Sequence, residues 1–178
     1  MLDRILKEAF RRIGMKAEIV YTPTEKSLYD VNAGVLDGEI NRIAGMEKRY
    51  PNLRRVPEPN MIMDFVAFAK THHEISGWES IRDLDVGLVR GWKILEEHTR
   101  GFPYVTKVPT EVELFRMLDK GRIDVALYAR LTGLVTLKEL GIEGVQCLQP
   151  PLESRKMYLY VYKEYGYLTD DIAEELRS

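Results

Sequence analysis

The chain has 178 residues, a formal net charge of −2 at pH 7 and a single cysteine, Cys147. Balanced charge argues against a nucleic-acid-binding surface, and one cysteine excludes an intramolecular disulfide framework. No apolar stretch approaches the roughly 20 residues of a membrane-spanning helix, and we expect no signal peptide, because no basic segment is followed by an apolar core.

The first part of the chain is predicted to mix helices and strands. An amphipathic pattern ends at Gly14, as expected for a helix closed by glycine. Thr22, Pro23 and Glu25 have the spacing of a capped helix start, with proline at the first helical position. The predicted elements, in chain order, are a helix over 2–13, a strand over 16–21, a helix ending at Gly34 and strands over 35–40 and 61–69.

The rest of the chain continues the alternation. Thr110 caps one helix, with Glu113 three residues later, and Gly141 closes the next. The predicted elements are a helical turn over 78–84, a strand over 86–89, a helix over 90–101, a strand over 105–108, a helix from 110, a strand over 123–128, a helix over 130–140, strands over 145–148 and 157–162, and a helix from 170. This order indicates an α/β fold in which parallel sheets are flanked by helices.

The chain contains a degenerate internal repeat. In one copy a helix ends at Gly34 and leads through Asp37 into a strand; in the other, a helix ends at Gly121 and leads through Asp124 into a strand. Two similar α/β halves indicate two lobes with a ligand cleft between them. Because Asp37 and Asp124 hold equivalent positions, we interpret them as turn-capping residues and not as a catalytic pair.

These features together resemble the bacterial extracellular solute-binding protein family 3. The resemblance rests on the helix ending at Gly34, the Asp37 turn, the segment 75–84 before the strand at 86–88, and the repeat at 121–125. It implies the type II periplasmic-binding-protein-like fold of ABC transporter substrate-binding domains, with two lobes, parallel-rich sheets flanked by helices and a hinge of two crossing strands. We expect a first lobe over 1–70, to which 158–178 return, and a second lobe over 71–157.

The resemblance also implies which segments contact the ligand. They are the end of a first-lobe strand, the loop opening the helix after the first second-lobe strand, and the segment after the repeat strand. Two arginines at these places would favour a small anionic ligand, because guanidinium groups bind carboxylates bidentately. The candidate ligand-binding residues are Asn41, Arg42, Arg90, Gly91, Trp92, Tyr128 and Arg130.

The expected function is capture of a small organic anion or amino-acid-like molecule, without catalysis, cofactor or metal. The protein would act in the periplasm with an ABC-type transporter; a cytoplasmic location is the alternative. A sensory domain of a signalling protein and a dehydratase-like enzyme, with Glu39 or Asp64 as acid, remain as other functions on the same fold. The helix at 2–13 takes the place where the family has its first strand. We therefore expect that strand to be lacking, and either the first-lobe sheet to be rearranged or a strand from another segment or another chain, as in a strand-sharing homodimer, to fill its place.

Overall fold

The computed structural model describes residues 2–22 and 24–177. The chain divides into two compact units, Met1–Ile62 with Arg155–Ser178, and Met63–Ser154. It passes from one unit to the other within two long strands, β2 (Leu53–Ala69) and β7 (Glu153–Tyr162).

Each of the remaining elements lies within one unit. The helices are α1 (Leu2–Arg12), α2 (Thr24–Asn32), α3 (Lys93–His98), α4 (Glu111–Asp119), α5 (Arg130–Leu140) and α6 (Thr169–Arg177). The strands are β1 (Gly38–Arg42), β3 (Val86–Val89), β4 (Val105–Val108), β5 (Val125–Ala129) and β6 (Gln146–Cys147). The hydrogen-bonded strand order is β1-β7-β2-β5-β3-β4, and β6 pairs with β2.

The first unit packs α1, α2 and α6 with β1 and parts of the long strands. Leu6 and Ala9 of α1 are buried, as its amphipathic pattern predicts, and Arg12 Nη1 of α1 lies 3.2 Å from Glu175 Oε2 of α6. Two clusters of buried residues are described in this unit. One comprises Val56, Leu159, Val161, Leu168, Ile172 and Ala173, and the other comprises Leu28, Val31, Leu53 and Tyr160.

Two strand predictions in the first unit are corrected. Residues 16–21 have no regular secondary structure and pair with no strand among the described residues. The strand expected at 35–40 begins instead at Gly38, because the amides of Val35 and Leu36 both donate to Asp30 O and so prolong the turn that ends α2. The helix start predicted at Pro23 lies outside the described residues.

The second unit has a parallel centre and an antiparallel margin. Strand β3 pairs in parallel with β4 and β5, whereas β2 pairs antiparallel with β5 and β6.

Strand β1 of the first unit is also antiparallel to β7, so the pairing is mixed and less rich in parallel strands than expected. Parallel neighbours require a helical crossover, which α3 and α4 supply only around β3, β4 and β5. The predicted α/β fold class is nevertheless confirmed.

The repeat is visible in the structure. Gly34 and Gly121 follow the equivalent helices α2 and α4, with φ angles of 76° and 65°. Asp124 Oδ2 accepts the Asp85 amide at 2.9 Å, and Asp37 O accepts the Tyr162 amide at 2.8 Å. Asp124 thus uses its carboxylate to tie its turn to the residue before β3, whereas Asp37 contributes its backbone carbonyl to β7 and its side chain hydrogen-bonds Tyr165. Within residues 2–22 and 24–177, every helix falls short of the length and hydrophobicity needed to cross a membrane.

Candidate functional site

The candidate residues of the second unit gather where two parallel strands end. Strands β3 and β5 are neighbours, with Leu88 opposite Leu127. Arg90, Gly91 and Trp92 follow β3, while Arg130 follows β5. Because parallel strands end at the same edge, the topology places both segments at one rim of the sheet, the edge at which open α/β folds bind ligands.

Trp92 and Tyr128 are in direct contact. Their ring centroids lie 4.7 Å apart with the planes inclined by 41°, and Phe65 meets Trp92 edge-on at 5.8 Å. Tyr128 is 8% exposed and belongs to the core, whereas Trp92 is half-buried against that core. Of the two rings, only Trp92 has substantial surface to offer a ligand.

Gly91 occupies a turn that requires a positive φ angle, here 91°. Its amide donates to Glu96 Oε1 at 3.2 Å, and Lys107 Nζ lies 3.4 Å from the same oxygen. The Gly91 hydrogen bond, supported by Lys107, lowers the pKa of Glu96. The amide that the sequence predicted to meet a ligand anion is thus bonded to a carboxylate of the protein itself.

Arg90 is the exposed cation at this rim. Its backbone amide donates to Val108 O at 2.8 Å, which ties the turn to β4. Within the described part of the chain, its guanidinium makes no ion pair. Its charge contributes to the lowered pKa of the nearby Glu96, so an anion at Arg90 would compete with a carboxylate that lies beyond ion-pair distance.

Arg130 is held more tightly than Arg90. Its Nη2 lies 3.0 Å from Gln149 Oε1 and 3.4 Å from Asp64 Oδ2, and Asp64 Oδ1 accepts the Ser154 hydroxyl at 2.6 Å. Sequence analysis did not connect Gln149 or Ser154 with Arg130, because Gln149 lies in the loop before β7 and Ser154 at the start of β7, both distant from Arg130 along the chain. The network positions Arg130 and neutralises its charge.

In the first unit, Arg42 is also paired. It ends β1 and hydrogen-bonds Glu39 within the same strand, with 16% and 9% of the two side chains exposed. Burial raises the pKa of the Glu39 carboxyl, an effect that Arg42 opposes. The Arg42 guanidinium therefore pairs with the buried Glu39 carboxylate, and a ligand would have to share it.

Asn41 carries backbone strain beside Arg42. Its φ angle is 60°, and among the described residues other than glycine it alone has a positive φ. Its Oδ1 accepts the Asn60 amide group at 2.6 Å, which holds this conformation. Strained residues are enriched at binding sites, so the observation keeps Asn41 among the candidate residues.

Tyr160 anchors the loop that follows β1, a role that sequence analysis did not assign. Its fully buried hydroxyl lies 3.0 Å from both Ile43 O and Glu47 Oε2 and accepts the Met46 amide at 3.3 Å. Burial raises the pKa of Tyr160 to about 12. Sequence analysis could not connect Tyr160 with this loop, because its partners there are more than 100 residues away in sequence.

Alkaline pH is expected to destabilise the second unit through Tyr128. Burial and the charge of Glu111 raise the pKa of Tyr128 to about 12, against about 10 for an unfolded tyrosine. The folded state therefore favours the neutral phenol, and this stabilisation is complete below pH 10 and lost as pH rises towards 12. In urea unfolding at pH 9 and 11.5, Tyr128→Phe should lose less stability than the unsubstituted protein. An equal loss in both proteins would contradict this assignment.

The described residues contain no grouping of three or more His, Cys, Asp or Glu side chains placed to hold a metal ion. The possible acids Glu39 and Asp64 are each engaged by an arginine. In the second unit, the candidate residues offer an exposed cation and an aromatic surface, which are features of recognition. In the first unit, Asn41 is the candidate residue with a positive φ angle.

The fold is that of the type II periplasmic-binding-protein-like proteins. A solved histidine kinase sensor domain with similarity to periplasmic binding proteins matches 99% of this chain and 76% of its own, with a TM-score of 0.73 and 21% identity. An ancestral arginine-binding protein bound to arginine matches 99% of this chain and 80% of its own, with a TM-score of 0.74 and 19% identity. The Gly52Ala mutant of an arginine-bound arginine-binding protein from T. maritima gives 0.73 and 18%, covering 99% and 83% of the two chains.

Comparison of sequences says less about this chain than comparison of structures. No protein-family model matches the chain. An uncharacterized protein of Shewanella oneidensis is 23% identical over 185 aligned positions, which cover 99% of this chain and 69% of the relative. The three solved structures named above are binding and sensor proteins, and at these identities the likeness establishes the fold alone.

Proposed function

We propose that this protein is an extracytoplasmic solute-binding protein that captures a small anionic or amino-acid-like molecule for an ABC-type transporter. The observation that carries the proposal is the match of 99% of the chain to arginine-binding proteins with TM-scores of 0.73 and 0.74. A full-length match to proteins solved with bound amino acids favours ligand binding over an unrelated use of the fold.

Arg90 and Trp92 are the ligand contacts that we propose in the second unit. Arg90 is exposed and free of ion pairs within the described residues, and Trp92 adds a half-exposed aromatic surface beside it. A guanidinium next to an indole suits a ligand with a carboxylate and a flat or apolar part. We propose that three further candidates hold these contacts in place. Gly91 forms the turn between Arg90 and Trp92, Tyr128 packs against Trp92 from the core, and Arg130 is fixed by Asp64 and Gln149.

Asn41 and Arg42 are the corresponding contacts that we propose in the first unit. Asn41 offers an amide group from a position of β1 with a positive φ angle, and 16% of the Arg42 side chain remains exposed although it is bonded to Glu39. A ligand carboxylate at Arg42 would share the guanidinium with Glu39. We therefore expect Arg42 to contribute less to affinity than Arg90.

Sensing is the second candidate function. The histidine kinase sensor domain with the same fold supports it as directly as the arginine-binding proteins support transport. In both cases the ligand would stabilise one state of the protein, which a membrane partner recognises. A dehydratase-like activity is less favoured, because Glu39 and Asp64, its candidate acids, are engaged by Arg42 and Arg130.

The partners that belong to this proposal are a small molecule and a membrane-bound transporter or sensor, with no nucleic acid. We propose a periplasmic location, where such proteins meet their ligands. Self-association through a shared strand is part of the same proposal.

Ligand binding can be tested by thermal shift against amino acids and small organic anions. A ligand present at 100 times its dissociation constant stabilises the folded state by about 2.7 kcal/mol, which for a protein of this size raises Tm by roughly 5–10 °C. Titration calorimetry with each molecule that shifts Tm would confirm binding. If neither amino acids nor organic anions at millimolar concentration change Tm, the proposal is wrong.

Replacement of Arg90 by alanine is expected to weaken binding of the identified ligand by roughly tenfold or more, since a hydrogen bond to a charged group contributes about 1.5–3 kcal/mol. Arg82→Ala is the matched control, because Arg82 is an exposed arginine of the same unit whose only described ion pair is with Glu79. Calorimetry on both variants measures the difference. Equal affinities in the two variants would remove Arg90 from the site.

A further inference from the structure

The Glu96 carboxylate lies among three groups that attract negative charge, all in the second unit. Its Oε1 accepts the Gly91 amide at 3.2 Å, and Lys107 Nζ lies 3.4 Å from the same oxygen. The Gly91 hydrogen bond and the charges of Lys107 and Arg90, in that order, lower the pKa of this carboxyl. A backbone amide, an ammonium and a guanidinium around one carboxylate are the components from which proteins build anion-binding sites.

Glu96 fits these groups loosely. Both distances exceed the roughly 2.7–2.9 Å of a good charge-assisted hydrogen bond. Because its carboxylate is attached to α3, it cannot approach the turn at Gly91 and the strand β4 independently. The Glu96 side chain is also 26% exposed, so it can rotate into water without leaving a buried charge behind. A free carboxylate lacks this tether and can approach the same donors more closely.

Open space adjoins the Glu96 carboxylate. Apart from its chain neighbours, a Cβ placed on Gly91 would meet no heavy atom within 4 Å. A cavity of about 290 Å³ also lies beside Glu96, and its lining residues come from α3, the loop after α3 and β4: Glu96, Thr99, Arg100, Phe102, Val105 and Lys107. Because ligand sites usually measure about 300–1,000 Å³, this cavity suits a molecule of few heavy atoms. Such a molecule has access to the groups that hold Glu96.

We propose that the Gly91 amide, Lys107 and Arg90 form a carboxylate-binding site from which the carboxylate of a small ligand displaces Glu96. The inference rests on the proposed solute-binding function and adds two residues to it, Lys107 as a ligand contact and Glu96 as an internal competitor. Since one carboxylate replaces another, the Gly91 amide keeps an acceptor and the Lys107 ammonium keeps a counter-charge.

Displacement of Glu96 selects the chemical class of the ligand. A neutral solute offers no counter-charge to Lys107 and Arg90, and a cation without an anionic group is repelled by them. The internal competitor therefore excludes such solutes and admits those that carry a carboxylate or a similar oxyanion. Succinate is accordingly the probe for this site, and its neutral analogue succinamide is the control.

Removal of the competitor tests the proposal on the full chain. Glu96→Ala should lower the dissociation constant for succinate about tenfold or more at constant ionic strength, since succinate no longer has to break two charge-assisted contacts. Glu97→Ala is the matched control, because Glu97 is exposed on the same helix and its side chain makes no hydrogen bond or ion pair within the described residues. The Gly91 amide signal in two-dimensional NMR reports binding, and circular dichroism checks that each variant folds.

Three outcomes of this titration would overturn the proposal. The first is equal affinity of Glu96→Ala and Glu97→Ala for succinate. The second is a Gly91 signal that succinate at millimolar concentration does not move in Glu96→Ala, and the third is an equal response to succinamide. Failure of the proposed function is a separate result, because the thermal-shift screen measures binding of any amino acid or organic anion to the unsubstituted protein.

A second substitution tests Lys107 as a ligand contact. In the Glu96→Ala protein, Lys107→Ala should raise the dissociation constant for succinate about tenfold, because it removes the ammonium that pairs with the carboxylate. Lys120→Ala, at an exposed lysine of α4 without an ion pair in the described chain, should change the constant by no more than about twofold. Equal effects of the two lysine substitutions would remove Lys107 from the site and overturn the proposal.

Discussion

Replacement of Phe68 by alanine is expected to lower the free energy of unfolding by about 3–5 kcal/mol, the usual cost of removing a buried phenylalanine. The Phe68 side chain is fully buried in β2 and meets Phe115 of α4 edge-on, with ring centroids 5.2 Å apart. Its loss would remove a ring contact and leave a cavity in the core of the second unit. Urea denaturation followed by circular dichroism measures the change.

The size of this effect depends on Gly133, on the helix α5. A Cβ added at Gly133 would lie 2.5 Å from Phe68 Cζ and 3.2 Å from Phe115 Cζ. Alanine improves helix propensity by about 1 kcal/mol, but overpacking a core costs about 1–3 kcal/mol. We expect Gly133→Ala to be destabilising by itself and neutral or stabilising in the Phe68→Ala protein, where the ring is absent.

A double-mutant cycle measures this coupling between Phe68 and Gly133. Strictly additive effects would show that the helix moves away from the ring at little cost. They would contradict the close approach of α5 and β2 as the reason for glycine at position 133.

Replacement of Tyr160 by phenylalanine should cost about 1–3 kcal/mol, because the hydroxyl is the buried partner of three groups. Without this hydroxyl, three groups of the loop lose a hydrogen bond or close contact: the Ile43 carbonyl, the Glu47 carboxylate and the Met46 amide. The ring itself stays, so no cavity forms. The loss should therefore concentrate in the loop after β1, and hydrogen exchange of the Met46 amide should accelerate.

Tyr158→Phe is the matched control in the same strand. The Tyr158 ring is half-buried and lies 4.7 Å from the Arg55 guanidinium carbon, but its hydroxyl has no hydrogen bond within the described residues. We expect a change within about 0.5 kcal/mol. Equal losses in both variants would show that the Tyr160 hydroxyl does not anchor the loop.

Local sequence signals predicted much of the second unit correctly. The strand at 86–89, the strand at 105–108 and the helix at 130–140 have the bounds that periodicity predicted. The Thr110 hydroxyl accepts the Glu113 amide at 3.2 Å, as its capping pattern indicated. These features are encoded within a few residues, where propensity, caps and apolar spacing agree.

The pairing of strands was harder to predict from the sequence. Residues 16–21 have the alternation of a strand, but alternation does not supply a neighbour, and they stay unpaired within the described chain. Strand β2 extends from Leu53, well before the expected residue 61. Long strands are decided by the partners that lie along them, and partners distant in sequence leave no local trace.

The candidate site shows the same division between sequence and structure. The sequence by itself determined which residue types follow β3 and β5, and the α/β order that brings those strand ends to one rim. Only the tertiary structure decided that Gly91 bonds Glu96, that Arg42 compensates Glu39 and that Arg130 is held by Asp64 and Gln149. Whether a charged side chain remains free for a ligand depends on which partners packing brings within about 4 Å. That choice is made by the folded chain as a whole, and of the three candidate arginines it leaves Arg90 exposed.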